Sequence, residues 1–353
     1  MKQFFRNFFA VLIILAGLAV FAYPTLSQKY MEWKGQQAVS DIAQMREQNT
    51  PQETVPAATE TVPTVTEETK PATEPTEATQ SELDILLEEI VAYNDRIYQE
   101  GQSDFRDPFA YEASPIDLTA YGFEENVIAT IWIPRLDVEL PVYLGATWDN
   151  MAKGVAVLGE TSLPVRGENT NVVIAGHRGY WGTAMFRDIQ LIQIGDKITI
   201  TTPWDTLIYR VCELKIITPD DTNAVLIQPG RQLLTLLTCH PYTQNYQRYL
   251  VFAELSDEEP EQDKKEDLAE AEKTFDDSPR TVVSSDGEGN VQEVQVEPVS
   301  IQPVANEGAQ LESGAAYSNA MLLIEKYAPP VVIGLLVLLL LARLLRRGRK
   351  DKS

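Results

Sequence analysis

The sequence predicts a mainly-β domain, an eight-stranded barrel, held between two apolar chain ends. Three observations carry that reading. Short β-prone runs separated by Gly, Pro and Asp recur from Val127 to Leu255. A cysteine, a histidine and an arginine fall at the ends of three of those runs. Long apolar stretches with basic flanks lie near both termini.

Taken in order, Lys2 and Arg6 flank an apolar stretch from Phe8 to Tyr23 that ends at Pro24. With Phe4 and Phe5 it approaches the roughly 17–25 residues a membrane span needs. A cleaved export signal is the other reading. Ala22-Tyr23-Pro24 is a poor small-residue cleavage site, so residues 1–25 are read as an uncleaved anchor. Residues 26–80 form a juxtamembrane segment and spacer. Trp33, Val39, Ile42 and Met45 mark a helix between Tyr30 and Met45, and Asn49 to Thr79 is almost entirely Thr, Pro, Glu and Ala. That composition buries too little apolar surface to fold.

Residues 81–126 begin with Ser81 as an N-cap, Asp84 three positions on, and Leu83, Leu86, Leu87, Ile90 and Ile97 at helical spacing. Irregular chain with Asp107-Pro108-Phe109 follows. The barrel, residues 127–255, is read from Val127–Ile133, Val138–Leu144, Val155–Leu158, Asn171–Ala175, Lys197–Thr202, Leu207–Ile217, Gln232–Thr238 and Tyr249–Leu255, with a short helix from Thr183 to Ile189. Residues 256–320 are acidic and poor in aromatics, and are expected to stay disordered. Residues 321–345 hold the aliphatic run Val331 to Ala342, a second transmembrane helix, and 346–353 form a basic tail.

Basic residues at both outer flanks place both termini in the cytoplasm and the intervening chain outside, which makes a multi-pass cell-membrane protein with the lipid bilayer as a partner. The tails carry a net +7 against −23 for the whole chain, which leaves −30 between them. A segment so acidic does not attract nucleic acid or anionic lipid.

The chemistry centres on Thr235-Leu236-Leu237-Thr238-Cys239, with Arg248 nine positions on and His177 in Val173-Ile174-Ala175-Gly176-His177-Arg178-Gly179. A sulfur nucleophile, an imidazole and a fixed cation at strand ends fit acyl transfer through a thioester. The bland alternative is a disulfide between the chain's two cysteines, Cys212 and Cys239. Two histidines and two cysteines scattered in this way make no metal-ligand set, and no loop has the spacing of an EF-hand, so no metal and no cofactor is expected.

In these residues the sequence resembles the sortases, the cysteine transpeptidases of Gram-positive cell surfaces, whose T-L-x-T-C pattern, His and Arg recur here in order. It looks most like class C, the pilin polymerases. That likeness rests on Leu163-Pro164, Gly167-Glu168-Asn169-Thr170, Pro241-Tyr242, the Asp-Pro-Phe segment and the two anchors. The resemblance implies a sortase-type barrel in which Cys239 cleaves a Leu-Pro-x-Thr-Gly-type sorting motif between Thr and Gly, with His177 as proton donor and acceptor and Arg248 on the oxyanion or substrate backbone. It implies partners in pilins or surface proteins bearing that motif, with a pilin lysine as acceptor. It also implies a lid of Asp107, Pro108 and Phe109 across the site, and Thr238 and His240 as substrate-binding or rim residues. His240, one position from the sulfur, is expected to point to the opposite face. Thr243, Gln247 and Val157 depart from the family pattern and put substrate preference in doubt. A sortase that attaches proteins to cell-wall precursor, a non-catalytic surface stalk and an inactive binding module are the competing readings. The stalk reading lacks its own sorting motif, because Tyr327-Ala328-Pro329-Pro330 precedes the last apolar run.

Overall fold

A computed structural model describes residues 33–49, 81–102, 114–123, 125–179, 183–242, 244–258 and 264–298, with Gly17, Leu26, Lys29 and Tyr30. Helix α1 spans 33–49. It rests on the barrel through buried Ile42 and through Lys34, whose Nζ lies 2.6 Å from Glu125. Helix α2, Glu82–Glu100, starts where the capping pair requires: Ser81 Oγ accepts from the Asp84 N–H, and the Asp84 carboxylate accepts from the Ser81 N–H. Leu86, Ile90, Tyr93 and Ile97 are buried along one face.

The strands are β1 (Val127–Ile133), β2 (Val138–Leu144), β3 (Val155–Val157), β4 (Thr170–Ala175), β5 (Lys197–Thr201), β6 (Thr206–Ile217), β7 (Gln232–His240) and β8 (Gln247–Leu255). Helix α3, Trp148–Lys153, carries the chain from β2 into β3. The sheet runs β6-β5-β1-β2-β3-β4-β7-β8 and closes by pairing β8 back onto β6, so the barrel has eight strands as expected. Ile131, Ile174, Ile200, Leu236 and Val251, which the pairings place on one face of the sheet, are each essentially inaccessible. Boundaries shift by a residue or two. The largest change is that β7 continues through Cys239 and His240, because both pair with β8 opposite Arg248 and Gln247.

Two expectations are corrected. Thr183–Ile189 is no helix: Met185 has φ 43°, which an α-helix cannot accommodate, and the helical turn there is a 3-10 turn at Ile189–Leu191. Nor are residues 256–320 disordered throughout, since 264–298 fold. Helix α4, Lys264–Lys273, is followed by β9 (Arg280–Ser285) and β10 (Val291–Val296), an antiparallel hairpin whose first strand pairs parallel to β6. Its acidic residues meet the barrel's bases: Asp267 pairs with Lys197 and accepts from Trp132 Nε1, and all three are buried. Asp196 takes two hydrogen bonds from Arg135, which itself reaches the Ala271 carbonyl. Both expected membrane spans fall on residues outside the described set, apart from Gly17. Among the described residues no helix is long and apolar enough to cross a membrane.

Candidate active site

Three strand ends converge at one rim of the barrel. Strand β4 runs parallel to β7 with Ala175 beside Leu237, and the Gly176 N–H donates to the Leu237 carbonyl at 3.0 Å. Thr238 Oγ1 donates to the Gly176 carbonyl at 2.6 Å, so the register carries His177 alongside Cys239. On the other edge of β7, Cys239 is paired directly with Arg248 of β8. Glycine at 176 is a packing requirement. A Cβ there would lie 2.6 Å from the Phe186 ring and 2.9 Å from Val155 Cγ1. Phe186, fully buried, also donates its N–H to the His177 carbonyl at 3.1 Å, which fixes the histidine backbone.

Strand alternation sorts the neighbours. Cys239 and Arg248 share one face of the β7–β8 ladder, while Thr238, His240 and Tyr249 share the other. Cys239 and His177 are half-buried; Arg248 is 6% exposed, and its Nη1 donates to the carbonyls of Asn245 (3.0 Å) and Gln247 (2.9 Å), which shapes the β7–β8 loop. Thr238, expected among the substrate-binding residues, is fully buried and donates to Gly176, so its side chain ties β7 to the histidine segment. His240 is half-buried and stands on the face of the ladder opposite Cys239. Its Nδ1 lies 2.6 Å from Arg178 Nη1, and its ring centroid is 5.6 Å from that of Tyr249. The lid residues Asp107, Pro108 and Phe109 lie outside the described residues.

Burial sets the protonation states. His177 is pulled below the ordinary imidazole value by desolvation, so it is largely neutral at neutral pH. Desolvation, helped by the charge of Arg178, pulls His240 down to about 4, which disqualifies it as a base near neutrality. Arg178, 5% exposed, is lowered by desolvation to about 10 and keeps its charge. Its place in the site was missed from sequence. The signal was present as a cation directly after the candidate histidine, between two glycines.

The two cysteines are both free. Strand β8 lies between β6 and β7, and Cys212 stands beside Phe252, level with Thr235 on β7, so two strand spacings of roughly 9–10 Å in all and a further four residues along the strand, at about 3.3 Å each, separate it from Cys239. A disulfide needs Cα atoms within about 7 Å. Cys212 Sγ instead faces the Phe252 carbonyl at 3.5 Å and Arg231 Nη2 at 3.5 Å. Among the described residues no group of three or more His, Cys, Asp or Glu is placed to hold a metal ion. The arrangement is a thiol between an imidazole and a guanidinium, the set that acyl transfer requires.

Residues 131–256, which contain this whole arrangement, match the model of the Sortase domain. The barrel is a sortase domain. Among curated proteins the chain is similar to Sortase D of Bacillus subtilis, 30% identical over 111 residues that make up 31% of this chain and 53% of that one. It is also similar to Sortase A of Bacillus anthracis, 32% identical over 132 residues, 37% of this chain and 61% of that one. The chain thus spans between half and three fifths of the length of these relatives. Among solved structures it resembles Sortase C1 of Streptococcus agalactiae, with 30% identity, a TM-score of 0.48, and 51% and 92% of the two chains covered. It likewise resembles Sortase C of Streptococcus pneumoniae, with 32% identity, a TM-score of 0.46 and coverage of 51% and 91%. The sortase domain ends at 256, so α4 and the β9–β10 hairpin lie beyond the matched residues.

Proposed function

We propose that this chain is a membrane-anchored cysteine transpeptidase that joins surface proteins through a thioester at Cys239. The observation that carries the reading is the register: Cys239 stands on β7 with Arg248 opposite and His177 on the adjoining strand end. The Cys239 thiolate attacks the carbonyl carbon of Thr in a Leu-Pro-x-Thr-Gly-type motif. Arg248 faces the oxygen on which negative charge develops. The C–N bond then breaks, and His177, protonated by the thiol's proton, passes that proton to the departing Gly amine. An incoming lysine amine attacks the thioester carbon, gives its proton to His177, and expels the thiolate. The product is an isopeptide bond, and the enzyme returns unchanged.

The anchors, with both termini cytoplasmic and the barrel outside, hold the enzyme where exported substrates emerge. Polymerisation of pilins is the favoured outcome, supported by the Asp107-Pro108-Phe109 segment and the second apolar stretch. As a lid, Phe109 would cover Cys239 and Asp107 would pair with Arg248 or the rim of the site, so Phe109→Ala or Asp107→Ala would speed alkylation of Cys239; unchanged rates would argue against a lid. The deciding experiment incubates the full chain in detergent micelles with a sorting-motif peptide and a lysine-bearing pilin. Mass spectrometry should find the acyl group on Cys239 and then the isopeptide product. Acylation elsewhere, or none with intact Cys239, would refute the mechanism. Acylation resolved only by cell-wall precursor would favour the anchoring alternative.

A further inference from the structure

The side chain of Arg178 joins four segments of the fold beneath the reactive cysteine. Its Nη1 donates to the main-chain carbonyl of Cys239 at 3.2 Å and faces His240 Nδ1 at 2.6 Å. Its Nη2 donates to Gln190 Oε1, and its Nε reaches the Arg187 carbonyl at 3.4 Å. Gln190 in turn is gripped by the C-terminal hairpin. Its Nε2 donates to the Glu297 carbonyl at 3.3 Å, and its own carbonyl, with that of Ile192, accepts from Arg280 Nη1 at 2.8 Å. Val282 and Val296 seat the hairpin by burial.

We propose that Arg178 is a positioning residue for Cys239, and that the β9–β10 hairpin braces it through Gln190, so that an element outside the sortase domain tunes the nucleophile. Arg178 accepts no proton and touches no reacting atom. It fixes the main-chain carbonyl of Cys239, one bond from the Cα that carries the thiol, and keeps a cation behind the sulfur. Because its guanidinium donates to Nδ1, His240 is held as the neutral tautomer with its proton on Nε2. The charged or titratable groups around His240 are Arg178 from the loop after β4 and Tyr249 from β8. Arg187, Asp188 and Tyr242 lie around Arg178, and Arg280 of β9 acts on Tyr249. The role in transfer rests on the sortase reading; the geometry and its test do not.

The chain has two histidines, so imidazole-labelled full chain in micelles yields two side-chain signals, assigned with His177→Ala. In the native chain His240 should titrate near about 4. In Arg178→Gln its midpoint should rise by at least about one unit, and iodoacetamide alkylation of Cys239 at neutral pH should slow about tenfold, the effect of one unit on a thiol. Gln190→Ala and Arg280→Ala, which leave Arg178 in place, should each raise the His240 midpoint by about half a unit and slow alkylation about threefold. A folded Arg178→Gln with native titration and native alkylation overturns the positioning role. Native values in both Gln190→Ala and Arg280→Ala overturn the brace. If Arg178→Gln fails to fold, half-buried Gln190→Ala decides alone, with a shift supporting the proposal and native values ending it. None of these readouts needs a peptide. A chain that gives them yet transfers nothing keeps the brace and loses the transpeptidase reading.

Discussion

Replacing Gly176 by alanine probes the packing that sets His177 beside Cys239. The added Cβ would sit 2.6 Å and 2.9 Å from two Phe186 ring carbons and 2.9 Å from Val155 Cγ1. Phe186 and Val155 are both fully buried, so neither can swing into solvent to relieve the overlap. Overpacking of this kind costs about 1–3 kcal/mol. At about 2 kcal/mol the melting temperature of a domain this size falls by roughly 4–8 °C. The chain relieves the overlap by moving residue 176 outward, and His177 moves with it. A misplacement of about 1 Å costs on the order of a hundredfold in rate. The assay pairs thermal unfolding with the rate of acyl-enzyme formation from a sorting-motif peptide. Gly167→Ala is the control, since its Cβ would meet nothing nearer than 4.0 Å and its φ lies outside the left-handed range. Were Gly176→Ala as stable and as fast as Gly167→Ala, the claim that close packing aims the histidine would be wrong.

Further expectations follow from other contacts. Cys212, whose thiol is pushed up by burial, should alkylate far more slowly than Cys239, and Cys212→Ala should leave acylation intact; loss of acylation would mean that the wrong cysteine has been assigned. His240 binds its proton at about 4 in the folded chain and near 6.5 when unfolded, so the unfolded state takes up more protons as pH falls through that window. Stability should drop there by about 2 kcal/mol after allowance for partial exposure, and His240→Gln should flatten the slope in urea titrations. An unchanged slope would contradict the buried neutral imidazole. Asp267→Asn removes the carboxylate paired with buried Lys197 and should cost about 3–5 kcal/mol, with amide exchange rising first in 264–273. Lys197→Met with Asp267→Leu should recover most of that loss, and a double variant no better than the single one would contradict the pairing.

The barrel was legible because its strands alternate and its breaks are Gly, Pro and Asp, signals that act within a few residues. The reactive trio was legible as a motif in fixed order. What escaped depended on distant partners. Helix α4 and the hairpin read as solvated chain because their charges look hydrophilic in isolation. Lys197 and Arg210, which pair with Asp267 and Glu270, and Arg135, which donates to the Ala271 carbonyl and Thr274 hydroxyl, lie some sixty or more positions earlier, and β9 is held by a parallel pairing to β6 that no local pattern announces. In the sequence Thr238 and His240 simply flank the sulfur. The face each side chain takes is fixed by the β7–β8 register, and how deeply it is buried is fixed by Tyr249 of β8 and by Gly176 and Arg178 in the loop after β4.

Strand β6 outlasts its neighbour β5, and the freed edge is where the hairpin docks: Ile217 has Arg248 on one side and Ser285 on the other. Tension entering through residues 280–298 would therefore load the hydrogen bonds of Lys215, Ile216 and Ile217 sideways, in shear, before it reached the rest of the barrel. Shear loads several bonds at once where peeling loads one at a time. Force applied along that route would thus pass Arg248 without unzipping the strand that holds it.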